Sequence, residues 1–164
     1  MKDLLILRHA KSSWSELGKS DFDRTLKPRG LSDARNVGKK YGEVIRKLDV
    51  VFSSPANRAI QTAITVCKSA DVNLDTIKIV ELFYQADFTE IFNFVREIPE
   101  EIKNTMIVGH NPTFTYFANL FLKEPIDNLP TSGLVQLTFN VEFWKDIDKE
   151  NVVFTSLEFP KFAD

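Results

Sequence analysis

The chain has two histidines, and each follows a short apolar run: His9 comes after Leu4-Leu5-Ile6-Leu7-Arg8, and His110 after Met106-Ile107-Val108-Gly109. A third run, Asp49-Val50-Val51-Phe52, leads through Ser53-Ser54-Pro55 to Arg58, and a fourth, Ile77-Lys78-Ile79-Val80, ends on Glu81. Arg8, His9, Arg58, His110 and Glu81 together make a set suited to phosphate chemistry. Guanidinium forks bind phosphate oxygens bidentately. An imidazole can act as nucleophile, and a carboxyl group can move a proton to or from the reacting atoms. Ser12 and Asn111, close in sequence to the two histidines, join Arg8, Arg58 and His110 as candidate substrate-binding residues.

Other phosphate chemistries fit the letters less well. Asp21-Phe22-Asp23-Arg24-Thr25 spells the D-x-D-x-T string of aspartate-nucleophile, magnesium-dependent phosphatases. That chemistry wants its first aspartate at the end of a buried strand, and Glu16-Leu17-Gly18-Lys19-Ser20 does not read as one. A cysteine phosphatase needs an arginine six positions after its cysteine, where Cys67 has Asn73; the spacing instead puts Cys67 on the apolar face of a helix, as a packed thiol. A Walker loop is absent. Two histidines beside cationic side chains are a poor divalent-metal set, so no metal is expected. A histidine nucleophile is the chemistry left.

The elements that must position these residues follow from hydrophobic patterning. The four apolar runs, Leu4–Leu7, Asp49–Phe52, Ile77–Val80 and Met106–Val108, read as buried strands. Ala10 to Lys27 is polar and aperiodic, and loops of that length often carry function. From Pro28, Leu31, Ala34, Val37, Tyr41, Val44 and Ile45 recur at helical spacing. Ser53-Ser54-Pro55 reads as a serine cap with proline in the first turn of a helix through Ile60, Ile64 and Cys67. Asp87 to Ile98 reads as a helix, and Asn111-Pro112 opens another through Tyr116, Leu120 and Phe121. Leu134–Phe139 and Val152–Phe159 have no helix between them and read as a hairpin or edge pair. Strand and helix alternate four times before two strands close the chain: an α/β domain with a mostly parallel sheet and an antiparallel addition. In such sheets ligands bind outside the carboxyl ends of the strands. Both histidines, both arginines and Glu81 lie at those ends.

Length and composition bound the rest. The 164 residues suffice for one domain, 1–164, and 14 phenylalanines imply an aromatic-rich core. A net charge of −2 speaks against a nucleic-acid partner. One cysteine cannot pair within the chain, and no apolar stretch suits a signal peptide or a membrane span, so a cytoplasmic protein with no membrane partner is expected.

Leu7-Arg8-His9-Ala10, Ser53-Ser54-Pro55-Ala56-Asn57-Arg58-Ala59-Ile60-Gln61-Thr62-Ala63 and Val108-Gly109-His110-Asn111-Pro112 resemble the histidine phosphatase superfamily, with its phosphoglycerate-mutase-like fold. The small size, Lys11-Ser12-Ser13-Trp14 and Asp21-Phe22-Asp23-Arg24-Thr25-Leu26 resemble its compact SixA-type branch of phosphohistidine phosphatases. Ala10 stands where the superfamily usually has glycine, and is small enough to let backbone approach a phosphate. The resemblance implies a three-layer α/β/α sandwich and a phosphohistidine intermediate.

On this reading His9 attacks phosphorus while Arg8, Arg58 and His110 hold the oxygens. Arg8 and Arg58 keep His9 neutral by disfavouring its protonation, and His110 works protonated against a bound dianion. Glu81 is the first choice for general acid and base, with Asp21 and Asp23 as alternatives. Trp14 and Tyr84 are assigned to packing or ordinary surface before a substrate-stacking rim. No cofactor is called for, and the short segment from Leu82 to Asp87 argues against a mutase. The expected partner is a protein phosphohistidine or a small phosphate ester; a silent phosphate-binding module is the reading from another class.

Overall fold

A computed structural model describes residues 1–160; residues 161–164 of the expected 1–164 domain lie outside the described residues. Its centre is a six-stranded sheet in the order β3-β2-β4-β1-β5-β6. The strands are β1 (Lys2–Arg8), β2 (Val50–Ser53), β3 (Ile77–Ile79), β4 (Asn104–Gly109), β5 (Leu134–Phe139) and β6 (Val152–Glu158). β1 and β4, β4 and β2, and β2 and β3 pair in parallel, whereas β5 lies antiparallel to β1, and β6 to β5. The four parallel strands and the antiparallel pair follow the apolar runs of the sequence.

Side-chain alternation along the strands builds a core on each face. Leu5 and Leu7 of β1, with Met106 and Val108 of β4, face α1 (Pro28–Lys40) and α3 (Asn57–Ser69) through Ala34, Val37, Ala59, Ala63 and Val66. Leu4, Ile6 and Ile107 face the other way, toward α4 (Phe88–Arg96) and α5 (Thr113–Asn119). The result is helices on both faces of a mostly parallel sheet. The expected aromatic core is one-sided: Phe83, Phe114, Phe117, Phe121 and Phe139 are buried on the α4/α5 face, with ring centroids 5.4 Å apart for Phe117–Phe121 and 5.0 Å for Phe121–Phe139. The α1/α3 face is aliphatic and alanine-rich. It holds Cys67, which is fully buried, with burial pushing its thiol up to about 11.

Three helix boundaries depart from expectation. The helix from Pro28 is interrupted at Tyr41 before α2 (Gly42–Ile45); the Tyr41 hydroxyl donates to Glu158 of β6 at 2.7 Å, and Lys40 pairs with the same carboxylate. α3 begins at Asn57 with Ala56 at its cap rather than a serine; Ser54 lies two residues earlier, where its hydroxyl accepts the Ala56 N–H and is bonded to His110. α5 stops at Asn119, short of Phe121. The helix expected from Asp87 does start there: Asp87 and Glu90 form a reciprocal capping box.

β1 and β4 are neighbours, yet the chain leaves β1 for the α1 face and β4 for the α5 face. Diverging connections open a crevice at the carboxyl ends of adjacent parallel strands, the usual ligand position in such sheets.

Candidate active site

A cleft of about 400 Å³ opens at that point, lined by Arg8, His9, Lys11, Ser12, Trp14, Asp21, Arg24, Lys27, Arg58, His110, Asn111 and Thr131. Among the described residues no group of three or more His, Cys, Asp or Glu side chains is placed to hold a metal ion. β1 delivers Arg8 and His9, β4 delivers His110, and the first turn of α3 delivers Arg58. Two close approaches fix these strand ends. A Cβ on Gly109, just before His110, would meet the Phe114 ring at 2.5 Å, and one on Gly30 of α1 would meet the Lys11 carbonyl oxygen at 2.2 Å. Neither position accepts a larger residue without moving the cleft wall.

His9 is buried, 7% exposed. Its Nδ1 lies 2.7 Å from the Ala10 carbonyl oxygen. A carbonyl only accepts, so Nδ1 carries the proton and Nε2 is left with a free lone pair. The Ala10 N–H donates to Thr62 Oγ1 at 2.9 Å, and that hydroxyl donates to the Arg58 carbonyl at 2.6 Å, tying the segment after His9 to α3. Burial is the main cause that pulls the His9 pKa down to about 3, opposed by the Ala10 hydrogen bond and helped by His110, Arg58 and Arg8. The imidazole is therefore neutral at physiological pH, as the sequence implies, but the neighbouring arginines are lesser causes than desolvation.

His110 lies with its ring centroid 5.3 Å from that of His9, and its Nε2 is 2.7 Å from Ser54 Oγ. Ser54 Oγ also accepts the Ala56 N–H at 3.3 Å, which ties His110 to the segment that opens α3. The other ring nitrogen of His110, Nδ1, is buried without a partner among the described residues. Burial, then Arg58, lower the His110 pKa to about 4, against the opposing pull of Asp21. His110 is thus neutral at physiological pH in this cleft.

Arg8 donates through Nη1 to the Leu129 carbonyl at 3.0 Å; burial, then the charge of Arg58, lower its pKa. Nε of Arg8 and Nε of Arg58 are buried and unpartnered among the described residues. Arg58 donates to the Asp21 carbonyl at 2.7 Å and to Asp21 Oδ2 at 3.1 Å.

Asp21 is the only carboxylate among the described residues lining the cleft. Its Oδ1 accepts from Arg24 Nη1 at 2.8 Å, and its Oδ2 accepts from Arg58 and from the Tyr84 hydroxyl at 2.7 Å. Partial burial works to raise its pKa, but the hydrogen bonds from Tyr84 and Arg24 and the charge of Arg58 hold it at about 2. Arg24 is 7% exposed and fully used. It donates to the Ser13 carbonyl at 3.1 Å, to Ser12 Oγ and to Asp21, with its guanidinium carbon 3.3 Å from the centre of the exposed Trp14 ring.

Glu81 is elsewhere. It opens a 3-10 turn, Glu81–Tyr84, is exposed, and lines a neighbouring depression with Leu82, Tyr84, Gln85, Ala86 and Glu90. β3 is the edge strand, with β2 and β4 between it and β1, so its end does not reach the cleft. Asp23 holds Ser20 Oγ at 2.9 Å and does not line the cleft either. Asn111 lines the cleft, but its amide donates to Asn128 and Leu129 and its oxygen accepts from Thr115, so it braces the wall. Ser12 lines the cleft as the acceptor of Arg24.

Sequence reasoning missed Ser54, Arg24, Lys11, Lys27 and Thr131. Asp21 and Arg24, three residues apart, carry opposite charge, which was the available signal for that pair. Thr131 required the antiparallel pairing of β5 with β1, which sets the residues before Leu134 beside the end of β1.

Residues 4–91 match the histidine phosphatase superfamily (branch 1). The chain belongs to the histidine phosphatase superfamily. This histidine phosphatase is 26% identical over 166 residues to an uncharacterized protein of Mycobacterium tuberculosis, across 94% of its own length and all of that protein. Its fold resembles a protein provisionally named phosphohistidine phosphatase SixA from Agrobacterium tumefaciens, with a TM-score of 0.78 at 24% identity over 97% and 98% of the two chains. It also resembles the protein histidine phosphatase SixA bound to tungstate, with a TM-score of 0.74 at 19% identity over 96% and 94%. No helix among its described residues is long and apolar enough to cross a membrane.

Proposed function

We propose that this phosphatase hydrolyses the P–N bond of a protein phosphohistidine, with His9 as nucleophile. The observation that carries the reading is the state of Asp21. Among the described residues the cleft has one carboxylate, and three donors hold it ionised. It cannot give a proton to a departing alkoxide, whereas an imidazole leaving from phosphorus departs without an acid in the cleft. Loss of general acid catalysis costs about 10² to 10⁴-fold, a penalty that falls on esters and spares phosphoramidates.

In the first step Nε2 of His9 attacks phosphorus and the bond from phosphorus to the substrate nitrogen breaks. The leaving imidazole takes its proton from solvent. Arg8 and Arg58 balance the phosphoryl charge, and the His110 ring supports one oxygen as a hydrogen-bond donor. In the second step water attacks phospho-His9, the P–N bond to His9 breaks, and phosphate leaves. The Asp21 carboxylate orients that water by accepting one of its hydrogens.

The test is phosphate release, with chelator present, from a phosphohistidine-bearing protein and from an alkyl phosphate, whose alkoxide needs an acid to leave, with His9→Ala as the blank. The expected result is a kcat/KM at least about 10²-fold higher on the phosphohistidine, abolished in His9→Ala. Preference for the alkyl ester would move the assignment to a small-metabolite phosphomonoesterase. Release unaffected by His9→Ala would remove His9 from the mechanism.

A further inference from the structure

The cleft is larger and more positive than a phosphoryl group requires. Its volume of about 400 Å³ is the room of roughly a dozen waters, of which a phosphoryl group displaces a few. Five cationic side chains line it, Arg8, Lys11, Arg24, Lys27 and Arg58, against the single carboxylate of Asp21. A phosphoryl dianion leaves two positive charges unanswered.

The arrangement of ion pairs says which two. Asp21 is shared between Arg24 and Arg58. Arg8 stands beside His9, where the phosphoryl group must sit. Lys11 and Lys27 remain. They are held together by the Lys27 N–H donating to the Lys11 carbonyl at 2.9 Å, on the side of the cleft where α1 begins at Pro28. The tight contact of Gly30 with the Lys11 backbone fixes the same pair of segments. What sets this pair apart is its place: two lysines held side by side in the wall of a cleft that must already bind an anion. Among the described residues neither Lys11 nor Lys27 has a carboxylate within ion-pair distance.

We infer that Lys11 and Lys27 form a second anion subsite that selects substrates carrying a carboxylate near the phosphoryl group. Resting on the reading above, that carboxylate is an acidic side chain flanking the phosphohistidine. The lysines take no part in bond making or breaking. They discriminate between substrates by charge, chiefly through KM, because the ion pairs form equally in the ground and transition states.

Two substrate pairs test this: aryl phosphates with and without a ring carboxylate, and phosphohistidine peptides flanked by glutamates or by glutamines. In the wild type the carboxylate-bearing member of each pair should have a kcat/KM about five- to tenfold higher, as expected for two solvent-facing ion pairs. The double substitution K11M/K27M should bring both ratios to within about twofold, and K11R/K27R should preserve them. Circular dichroism and thermal melting establish that each variant is folded. Wild-type ratios near one, or ratios that survive in K11M/K27M, overturn the inference. A lysine-dependent preference between the aryl phosphates with neither peptide turned over upholds the subsite and refutes the phosphohistidine reading. Turnover of both peptides without discrimination in either pair does the reverse. A lysine-dependent preference confined to the peptides places the anion on the flanking side chains.

Discussion

Residues 9–27, between β1 and α1, put His9, Lys11, Ser12, Trp14, Asp21, Arg24 and Lys27 into the cleft wall. Residues 80–87, between β3 and α4, bring to it one hydrogen bond, from the Tyr84 hydroxyl to Asp21. Both segments follow parallel strands and leave the same edge of the sheet. They differ in the place of the strand: β1 is central and adjoins β4, whereas β3 is the outermost parallel strand. A strand end becomes a site residue when neighbouring strands bring partners to it, and position along the chain alone does not confer this.

The largest effect that separates the two regions is on their carboxylates. Asp21→Asn sets an amide N–H against donors already in place from Arg24, Arg58 and Tyr84, and removes the charge that offsets two arginines. We expect kcat/KM to fall about 10²-fold. Glu81→Gln, on the exposed edge turn, should stay within about twofold. Steady-state phosphate release checks both, and the reverse ranking would return the acid–base role to Glu81.

Stability separates them next. Arg24→Met removes a buried fork and strands the Ser13 carbonyl, Ser12 Oγ and Asp21 Oδ1. Charged hydrogen bonds of this kind are worth about 1.5–3 kcal/mol each, and partial rehydration of the exposed Asp21 leaves an expected loss of about 2–3 kcal/mol in urea unfolding. Trp14→Ala, which removes only the exposed ring stacked on the same guanidinium, should cost about 0.5–1 kcal/mol.

These contrasts mark what the sequence could convey. Apolar runs such as Leu4–Leu7 are legible because burial demands them, and β5 falls on Leu134–Phe139 as read. The grouping of Arg8, His9, Arg58 and His110 follows from strand ends alone. Asp21 and Arg24 could not be placed, because a polar loop without period is shaped by the partners it meets: Arg58, Tyr84 and Trp14 come from three different segments. The cap of α3 was misread for a related reason. Ser54 has the right residue type for a helix cap, but it lies two residues before the cap position and its hydroxyl joins the Ala56 N–H to a histidine 56 residues away. Glu81 failed because sheet order is invisible to periodicity.

The pH profile sharpens the picture of the buried side. An imidazole of ordinary pKa, about 6.5, would lose roughly 30-fold of its neutral form between pH 8 and pH 5. His9 is lowered to about 3 and His110 to about 4, so their neutral forms persist through that range and are lost only as pH falls toward 4. After correction for the titration of the substrate, kcat/KM should change by less than about twofold from pH 8 to pH 5. A 30-fold loss would mean that the loop does not shield His9 from water.

The smallest effect belongs to the hydrogen bond that the edge turn sends to the cleft carboxylate. Tyr84→Phe removes one of three donors to Asp21 and leaves both arginines in place. The hydrogen bond is solvent-exposed, so the loss should be about two- to threefold in kcat/KM. The carboxylate pKa should rise from about 2 because a donor to its charged form is gone. It then still lies below the range assayed, and the flat profile between pH 5 and pH 8 should persist. In the Asp21→Asn background the same substitution should cost nothing further, since the hydroxyl acts on the cleft through that carboxylate and the ring, which Phe keeps, retains its edge contact with His110. An undiminished cost there would give Tyr84 a contact of its own with the substrate. The turn after β3 would then rank with the loop after β1.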